Sequence, residues 1–317
     1  MESKFSKIEN KEEWQKLLDK ALFKTFFHNL KWEEFLESQF KWLKFERYLY
    51  KNQALLSLAR VGDKLVSHPF CEYGGPLPLK EGISFKQFQD DLLFKFKDKI
   101  KISFHPQALK FFEGIIDEGK SERVSYFLEG QPDFKKSVRY EIKKAEERGI
   151  QVKECENEGE LEGFYRIYLK SAKKHRVPAY PISFFKYFLE SADSKIILAL
   201  SKNKIIAGSA FLFYDNFIHY FQNAADGRYK KTGANYLILQ REIQNKGDKT
   251  FDFGGTRKGS SLEVFKKAWG AEERPILEIS NYPTASGFKK SKLRSVYGVL
   301  PIFLIRKLSP YLLKQKI

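Results

Sequence analysis

The chain has 317 residues, with 57 Lys and Arg against 40 Asp and Glu, a formal charge of +17, and 42% apolar and 16% aromatic residues. That composition excludes global disorder, and no apolar run approaches the ~18–20 residues of a membrane-spanning helix. The excess of cations calls for an anionic partner: nucleic acid, a phosphate-bearing substrate or a membrane face.

At about 150 residues per domain the length suggests two domains. The first five residues carry no secretory signature, so a cytoplasmic protein is expected. Helices are predicted first: Trp14, Leu17, Leu18, Ala21 and Leu22 recur at helical spacing, as do Trp32, Phe35, Leu36 and Phe40, with Asn29 able to cap the second set. Short strands follow over 45–50, 55–61 and 64–67, then a helix over 84–96 and an alternating strand over 99–104. Residues 130–132, Gly-Gln-Pro, are the best linker, dividing a first unit (1–130) from a second (131–285) and a basic terminal segment (286–317).

In the second unit Val138, Ile142 and Ala145 share one helix face that Gly149 can terminate. Leu161, Phe164, Tyr165, Tyr168 and Leu169 make another helix, and Phe184, Phe185, Phe188 and Leu189 a third. An antiparallel meander runs through 195–200, 205–213 and 217–222, followed by a helix over 234–246, a strand over 250–253 and a helix over 261–268. From Ile279 to Ile317 there is no Asp or Glu, and Lys289, Lys290, Lys292, Arg294, Arg306, Lys307, Lys314 and Lys316 flank an apolar stretch interrupted by Pro301. Two readings stand for that segment: an interfacial helix on anionic lipid, or a helix docked on its own domain with a solvated basic rim. The pattern gives an α+β fold in two domains.

Three motifs carry chemistry. The loop Ser67-His-Pro-Phe-Cys-Glu-Tyr-Gly-Gly-Pro76 follows a strand, and its Gly74–Gly75 pair allows close backbone approach to a ligand beside Glu72 and Tyr73, or merely a tight strand exit. In Phe251-Asp-Phe-Gly-Gly255 the two phenylalanines share one face of a strand and Asp252 takes the other, where a lone carboxylate acts as or orients a base, or bonds the backbone. Lys266, within Phe265-Lys-Lys-Ala-Trp-Gly270, lies on the next helix and can return its ammonium to the same cleft, or sit on the surface. The five histidines are scattered and the two cysteines, Cys71 and Cys155, form no Cys-x-x-Cys pair, so no metal site is expected.

Taken in order, these segments resemble the Fem-type aminoacyltransferases that build peptidoglycan interpeptide bridges. The resemblance rests on Pro69, Phe70, Tyr73, Gly74 and Gly75; on Arg139, Ile142, Lys144, Ala145 and Gly149; on Phe164, Tyr165 and Tyr168; and on Phe251-Asp-Phe-Gly, Phe265-Lys266 and Trp269-Gly270. It implies tandem acetyltransferase-type (GNAT) domains with mixed, mostly antiparallel sheets flanked by helices. It also implies amide formation by direct aminolysis, moving an aminoacyl group from aminoacyl-tRNA to an amine of a cell-wall or envelope precursor. In that reading Lys266 stabilises the donor carbonyl or oxyanion, Asp252 orients the amine or relays its proton, and Tyr73, Gly74 and Gly75 line the acceptor end. Phe70, Arg139, Lys144, Tyr168, Lys174 and Phe265 join the substrate site. His219 is an alternative base, although a hydrogen-bonded core histidine is the plainer reading.

The acetyltransferase pyrophosphate loop has a counterpart in Arg228-Tyr-Lys-Lys-Thr-Gly-Ala-Asn235, with Arg228, Lys230, Lys231, Gly233 and Asn235 as donor-binding residues. Its imperfect glycine spacing weakens an acyl-CoA donor and fits the Fem-type relatives. The expected co-substrate is therefore aminoacyl-tRNA, or else acyl-CoA or an acyl carrier, with no tightly bound cofactor. The acceptor is an anionic or lipid-linked envelope precursor, and residues 289–317 are the expected peripheral contact with an anionic membrane at its inner face. A non-catalytic module binding nucleic acid or anionic membrane is the reading from another class.

Overall fold

Strand Leu43–Tyr50 buries Leu43 and Phe45 on one face and Tyr48 and Tyr50 on the other, and the mostly apolar run of Ala54–Val61 is likewise buried on both. In the computed structural model, which describes residues 4–115, 121–283 and 293–317, these strands form the middle of a first sheet. Its order is Phe5–Ile8, Leu43–Tyr50, Ala54–Val61, Lys64–Val66, Lys99–Ser103 and Glu278–Ser280, with Leu77–Pro78 also paired to Ala54–Val61. The second sheet runs Gln151–Glu154, Ser194–Ser201, Lys204–Tyr214, Phe217–Ala225, Thr250–Arg257, Arg123–Leu128 and Glu272–Pro275. Each sheet contains one parallel pairing, Lys64–Val66 with Lys99–Ser103 and Phe217–Ala225 with Thr250–Arg257. The other pairings in the two sheets are antiparallel.

Two strands cross between the lobes. Arg123–Leu128, ahead of residues 130–132, lies between Thr250–Arg257 and Glu272–Pro275 because Val124, Tyr126 and Leu128 complete the apolar face of the second sheet. Glu278–Ser280 returns to the first sheet, where Ile279 joins its core. Helices Lys136–Glu147 and Ala234–Gln244 pack together and contribute Val138, Ile142, Leu237 and Ile238 to one side of the second sheet. Glu158–His175 and Ile182–Glu190 pack on its other side and face the first lobe. There an aromatic cluster joins the lobes: Trp32 stacks on Phe188 at 5.5 Å, Phe35 meets Tyr187 at 4.6 Å, and Phe70 meets Phe184 at 5.7 Å.

The N-terminal stretch differs from its all-helical reading. Phe5–Ile8 is a strand on Leu43–Tyr50, and the Trp14 helix spans Lys11–Leu18, ending before Ala21 and Leu22 because the Leu22 N–H donates to Pro78 O. Asn29 does cap Leu30–Gln39, its Oδ1 accepting from Lys31 N–H at 2.9 Å. In the terminal segment Lys289, Lys290 and Lys292 lie outside the described residues, and Pro301 separates helix Leu293–Tyr297 from helix Ile302–Leu312. Ile305 and Leu313 are buried against the body, so this segment docks on its own chain through one face. Among the described residues no helix is long and apolar enough to cross a membrane.

Candidate active site

Strand Thr250–Arg257 turns Phe251 and Phe253 into the core of the second sheet and Asp252 to the opposite face. Its pairing with Arg123–Leu128 slips between Asp252 and Gly255, a bulge in which Gly254 takes a positive φ of 72°. The bulge turns the Gly254 N–H back onto Asp252 Oδ1 at 2.8 Å, and Ser125 Oγ–H donates to the same oxygen at 3.0 Å. Asp252 Oδ2 accepts from the Tyr73 hydroxyl, from Tyr214 O–H at 3.2 Å and from His219 Nδ1 at 2.8 Å. This wholly buried carboxylate is therefore fully hydrogen-bonded.

His219 stands opposite Asp252 because the parallel pairing of their strands ends there: the register is Phe217 to Thr250, Ile218 to Phe251, and His219 to Asp252. Beyond that point the strands continue to Ala225 and Arg257 without pairing, which opens a split in the sheet. Glu72, on the glycine-pair loop of the first lobe, enters the split. Its Oε2 lies 3.4 Å from His219 Nε2, and a quarter of its side chain stays exposed (26%). Burial works against the His219 cation, but the Asp252 and Glu72 carboxylates outweigh it and raise its pKa to about 9. Burial likewise works against both carboxylates, and His219 holds each below its ordinary range. At neutral pH the group is an imidazolium clasped by two carboxylates, of which only Glu72 reaches solvent.

Lys266, on helix Ser261–Ala268, points its ammonium under the bulge, donating to Gly254 O at 2.6 Å and Gly255 O at 3.1 Å. Burial lowers its pKa to about 8. Glu72 packs directly over the same two glycines: a Cβ on Gly255 would stand 2.9 Å from Glu72 Cγ. The glycine-pair loop and the phenylalanine–lysine helix thus meet across Gly254 and Gly255. The cleft that opens at Glu72 has a volume of about 340 Å³ and is walled by Phe70, Cys71, Arg123, Tyr180, Phe221 and Gln222. Among the described residues no group of three or more His, Cys, Asp or Glu side chains could hold a metal ion.

Tyr73, Asp252, Lys266 and Phe70 come together at this place, and Tyr168 stands one layer behind, its hydroxyl accepting from Tyr180 N–H at 2.9 Å. Gly74 and Gly75 serve packing. The Gly74 N–H donates to Ser103 O at 3.1 Å, Gly75 O accepts from His28 at 3.2 Å, and Cβ atoms there would fall 2.5 Å from His68 Cβ and 2.9 Å from Ser103 O. Phe265 packs on Tyr236 at 5.5 Å, away from the cleft wall. Arg139 pairs with Asp133 at 3.0 Å and Lys144 with Glu141 at 2.8 Å, both on the outer surface of Lys136–Glu147. Lys174 lies beside Lys230 at the far end of Glu158–His175, while Arg228 pairs with Asp226 at 2.7 Å. The Lys231 carbonyl accepts from Arg148, and Gly233, at φ 81°, fits against Glu141 O, 2.3 Å from where its Cβ would be. Asn235, in the first turn of Ala234–Gln244, has a buried Oδ1 with no hydrogen-bond partner among the described residues.

Sequence reasoning named Glu72 beside the glycine pair without giving it a role, left Ser125 and Tyr214 out of the site and ranked His219 below Asp252. The one local signal was a carboxylate next to Tyr73. The register that sets His219 against Asp252 is long-range and leaves no trace in spacing.

A model of the FemAB family matches residues 127–204, which hold the Arg139 and Tyr168 helices but neither the glycine-pair loop nor Lys266. No curated protein matches the sequence. The solved structure of FemX aligns with 89% of this chain and 98% of its own at 15% identity and a TM-score of 0.58. The C-terminal domain of a putative lysylphosphatidylglycerol synthetase from Agrobacterium fabrum covers 94% of this chain and 96% of its own (9% identity, TM-score 0.56). L-PGS from Bacillus licheniformis covers 95% and 97% (13% identity, TM-score 0.57). The chain is thus similar to the FemAB family over residues 127–204, and as a whole it shares the fold of FemX and of the two synthetase structures.

Proposed function

We propose that the chain is an amide-forming transferase that moves an aminoacyl group from aminoacyl-tRNA onto an amine of a cell-wall or envelope precursor, without a covalent enzyme intermediate and without a tightly bound cofactor. The FemAB match and the likeness to FemX and to a putative lysylphosphatidylglycerol synthetase support the reaction class. A charge of +17 suits a polyphosphate donor. The observation that carries the reading is Glu72, an anionic group at the cleft wall backed by the buried His219–Asp252 pair.

An acceptor amine arrives as an ammonium, for which Glu72 is the exposed counter-charge. The ammonium gives one proton to Glu72, and the neutral amine attacks the ester carbonyl. As the carbon–oxygen bond breaks, the second nitrogen proton passes to the departing hydroxyl, and Glu72 releases the first to solvent. Lys266, with two N–H groups bonded to Gly254 O and Gly255 O, turns its third to the developing oxyanion. Tyr73 positions Asp252, and Phe70 with Tyr180 walls the acceptor. Lys174, Arg228, Lys230, Lys231, Gly233 and Asn235 form the donor side, with Arg139 and Lys144 as outlying phosphate contacts.

Transfer of a radiolabelled aminoacyl group from charged tRNA to an amine-bearing envelope precursor tests this directly. Glu72→Gln is expected to lower kcat by about 10²-fold or more with an unchanged melting temperature. Transfer from acetyl-CoA but not from charged tRNA would overturn the donor. Undiminished rates in both Glu72→Gln and Lys266→Ala would overturn the site.

A further inference from the structure

The terminal segment has two faces. Inwardly, Ile305 and Leu313 are buried, Arg306 grips Glu162 at 2.5 and 3.1 Å, and Tyr297 O–H accepts from Ala179 N–H at 3.1 Å, next to Tyr180 of the cleft wall. Outwardly, helix Ile302–Leu312 presents Phe303, Lys307 and Tyr311 at four-residue steps, one row along its axis, with Phe303 68% and Tyr311 78% exposed. Val299 (75%) and Val296 (50%) are exposed as well, ahead of Pro301. Among the described residues no packing accounts for two solvent-facing aromatics in one row. Within this segment the charge has one sign: no Asp or Glu occurs after Glu278, Lys307 is exposed in the row itself, and Arg294 and Lys314 are exposed before and after it in sequence.

We propose that this face is a docking surface for an anionic lipid bilayer, with Phe303, Tyr311 and Val299 entering the headgroup boundary and Lys307, Lys314 and Arg294 meeting lipid phosphates. Aromatic rings with interspersed cations on a short helix, too short to span, are the pattern of an interfacial element. A second copy of the chain is a poorer occupant, because a two-fold contact would set this cationic face against itself. Ile317, at the end of the same segment, lines the cleft beside Phe70 and Cys71, so docking holds the cleft mouth near the bilayer. The inference goes beyond the transfer reaction and does not depend on it.

The test is co-sedimentation of the full chain with vesicles of phosphatidylcholine, with and without phosphatidylglycerol. Binding is expected on the phosphatidylglycerol vesicles and is expected to weaken with added salt. The outward-facing double variant Phe303→Ser/Tyr311→Ser should weaken it by about tenfold or more, with an unchanged circular dichroism spectrum. Lys307→Glu should weaken it by about tenfold on anionic vesicles alone. A wild-type chain that ignores anionic vesicles, a double variant that binds as wild type, or a dimer abolished by the double variant in place of vesicle binding would each overturn the proposal. Glu72→Gln should sediment as wild type, so loss of transfer with normal sedimentation leaves the docking surface standing and isolates the failure in the reaction.

Discussion

His219 is the residue on which the site's electrostatics turn, because its ring lies 2.8 Å from Asp252 on one side and 3.4 Å from Glu72 on the other. Its folded pKa, about 9, lies above the ordinary 6.5. Its stabilisation is therefore complete below about pH 6.5 and is lost as pH rises toward 9. His28 and His105, which burial pushes down, act in the opposite sense but only below about pH 6.5. Lys266, lowered to about 8, begins to restore stability only above that pH. Between pH 6.5 and 8 the unfolding free energy should thus fall by an amount of order 2 kcal/mol. Urea titrations of wild type and His219→Gln check this, since the variant should be flat over the same interval. An equally steep fall in the variant would place the sensitivity elsewhere. Local pattern announced Asp252, a lone carboxylate on an apolar strand. It said little about His219, since a histidine on a strand looks the same whether or not a carboxylate faces it.

The bulge in Thr250–Arg257 is the element that gathers the site, since it aims one carbonyl pair at Lys266 and leaves room above for Glu72. Gly255 has no space for a methyl group, with Glu72 Cγ at 2.9 Å and Ile276 Cδ1 at 3.1 Å from the position it would take. Gly255→Ala should therefore cost about 1–2 kcal/mol and push Glu72 off His219. Adding Glu72→Ala should restore the stability but not the transfer, measured by thermal unfolding and by the tRNA assay on the same samples. If the double variant is no more stable than Gly255→Ala, Glu72 is not what the methyl group strikes. At this scale the meander, the Asp252 strand and the three helices with apolar faces at 138–145, 161–169 and 184–189 were readable from period alone. Arg123–Leu128 was not: it is short, and it finds its partners 120 or more residues away in strand Thr250–Arg257. The edge strands Phe5–Ile8 and Glu278–Ser280 escaped for the same reason, being only 4 and 3 residues long.

Across the whole molecule the two lobes are bound by more than proximity. Each sheet contains a strand from the far side of residues 130–132, and Glu278, on the strand that returns to the first sheet, accepts from Ser103 Oγ–H at 2.8 Å, pairs with Lys101 at 3.0 Å, and reaches Arg123 at the start of the strand given to the second. The aromatic cluster of Trp32, Phe35, Phe184, Tyr187 and Phe188 belongs to neither sheet alone. A lobe that unfolded by itself would pull a strand out of its neighbour and expose that cluster, so the lobes should unfold as one unit. The distribution of tryptophans makes this measurable: Trp14, Trp32 and Trp42 belong to the first lobe, with Trp32 at the aromatic seam against Phe188, and Trp269 is in the core of the second. In a Trp269→Phe background only the first lobe fluoresces through tryptophan. Phe251→Ala, deep in the second sheet, should cost about 3–5 kcal/mol. In that background the fluorescence midpoint of the first lobe should move to lower urea together with the far-ultraviolet circular dichroism midpoint. A fluorescence transition that stays where it was while the circular dichroism splits into two steps would mean that the exchanged strands do not couple the lobes, and the cleft between them would then open without unfolding either core.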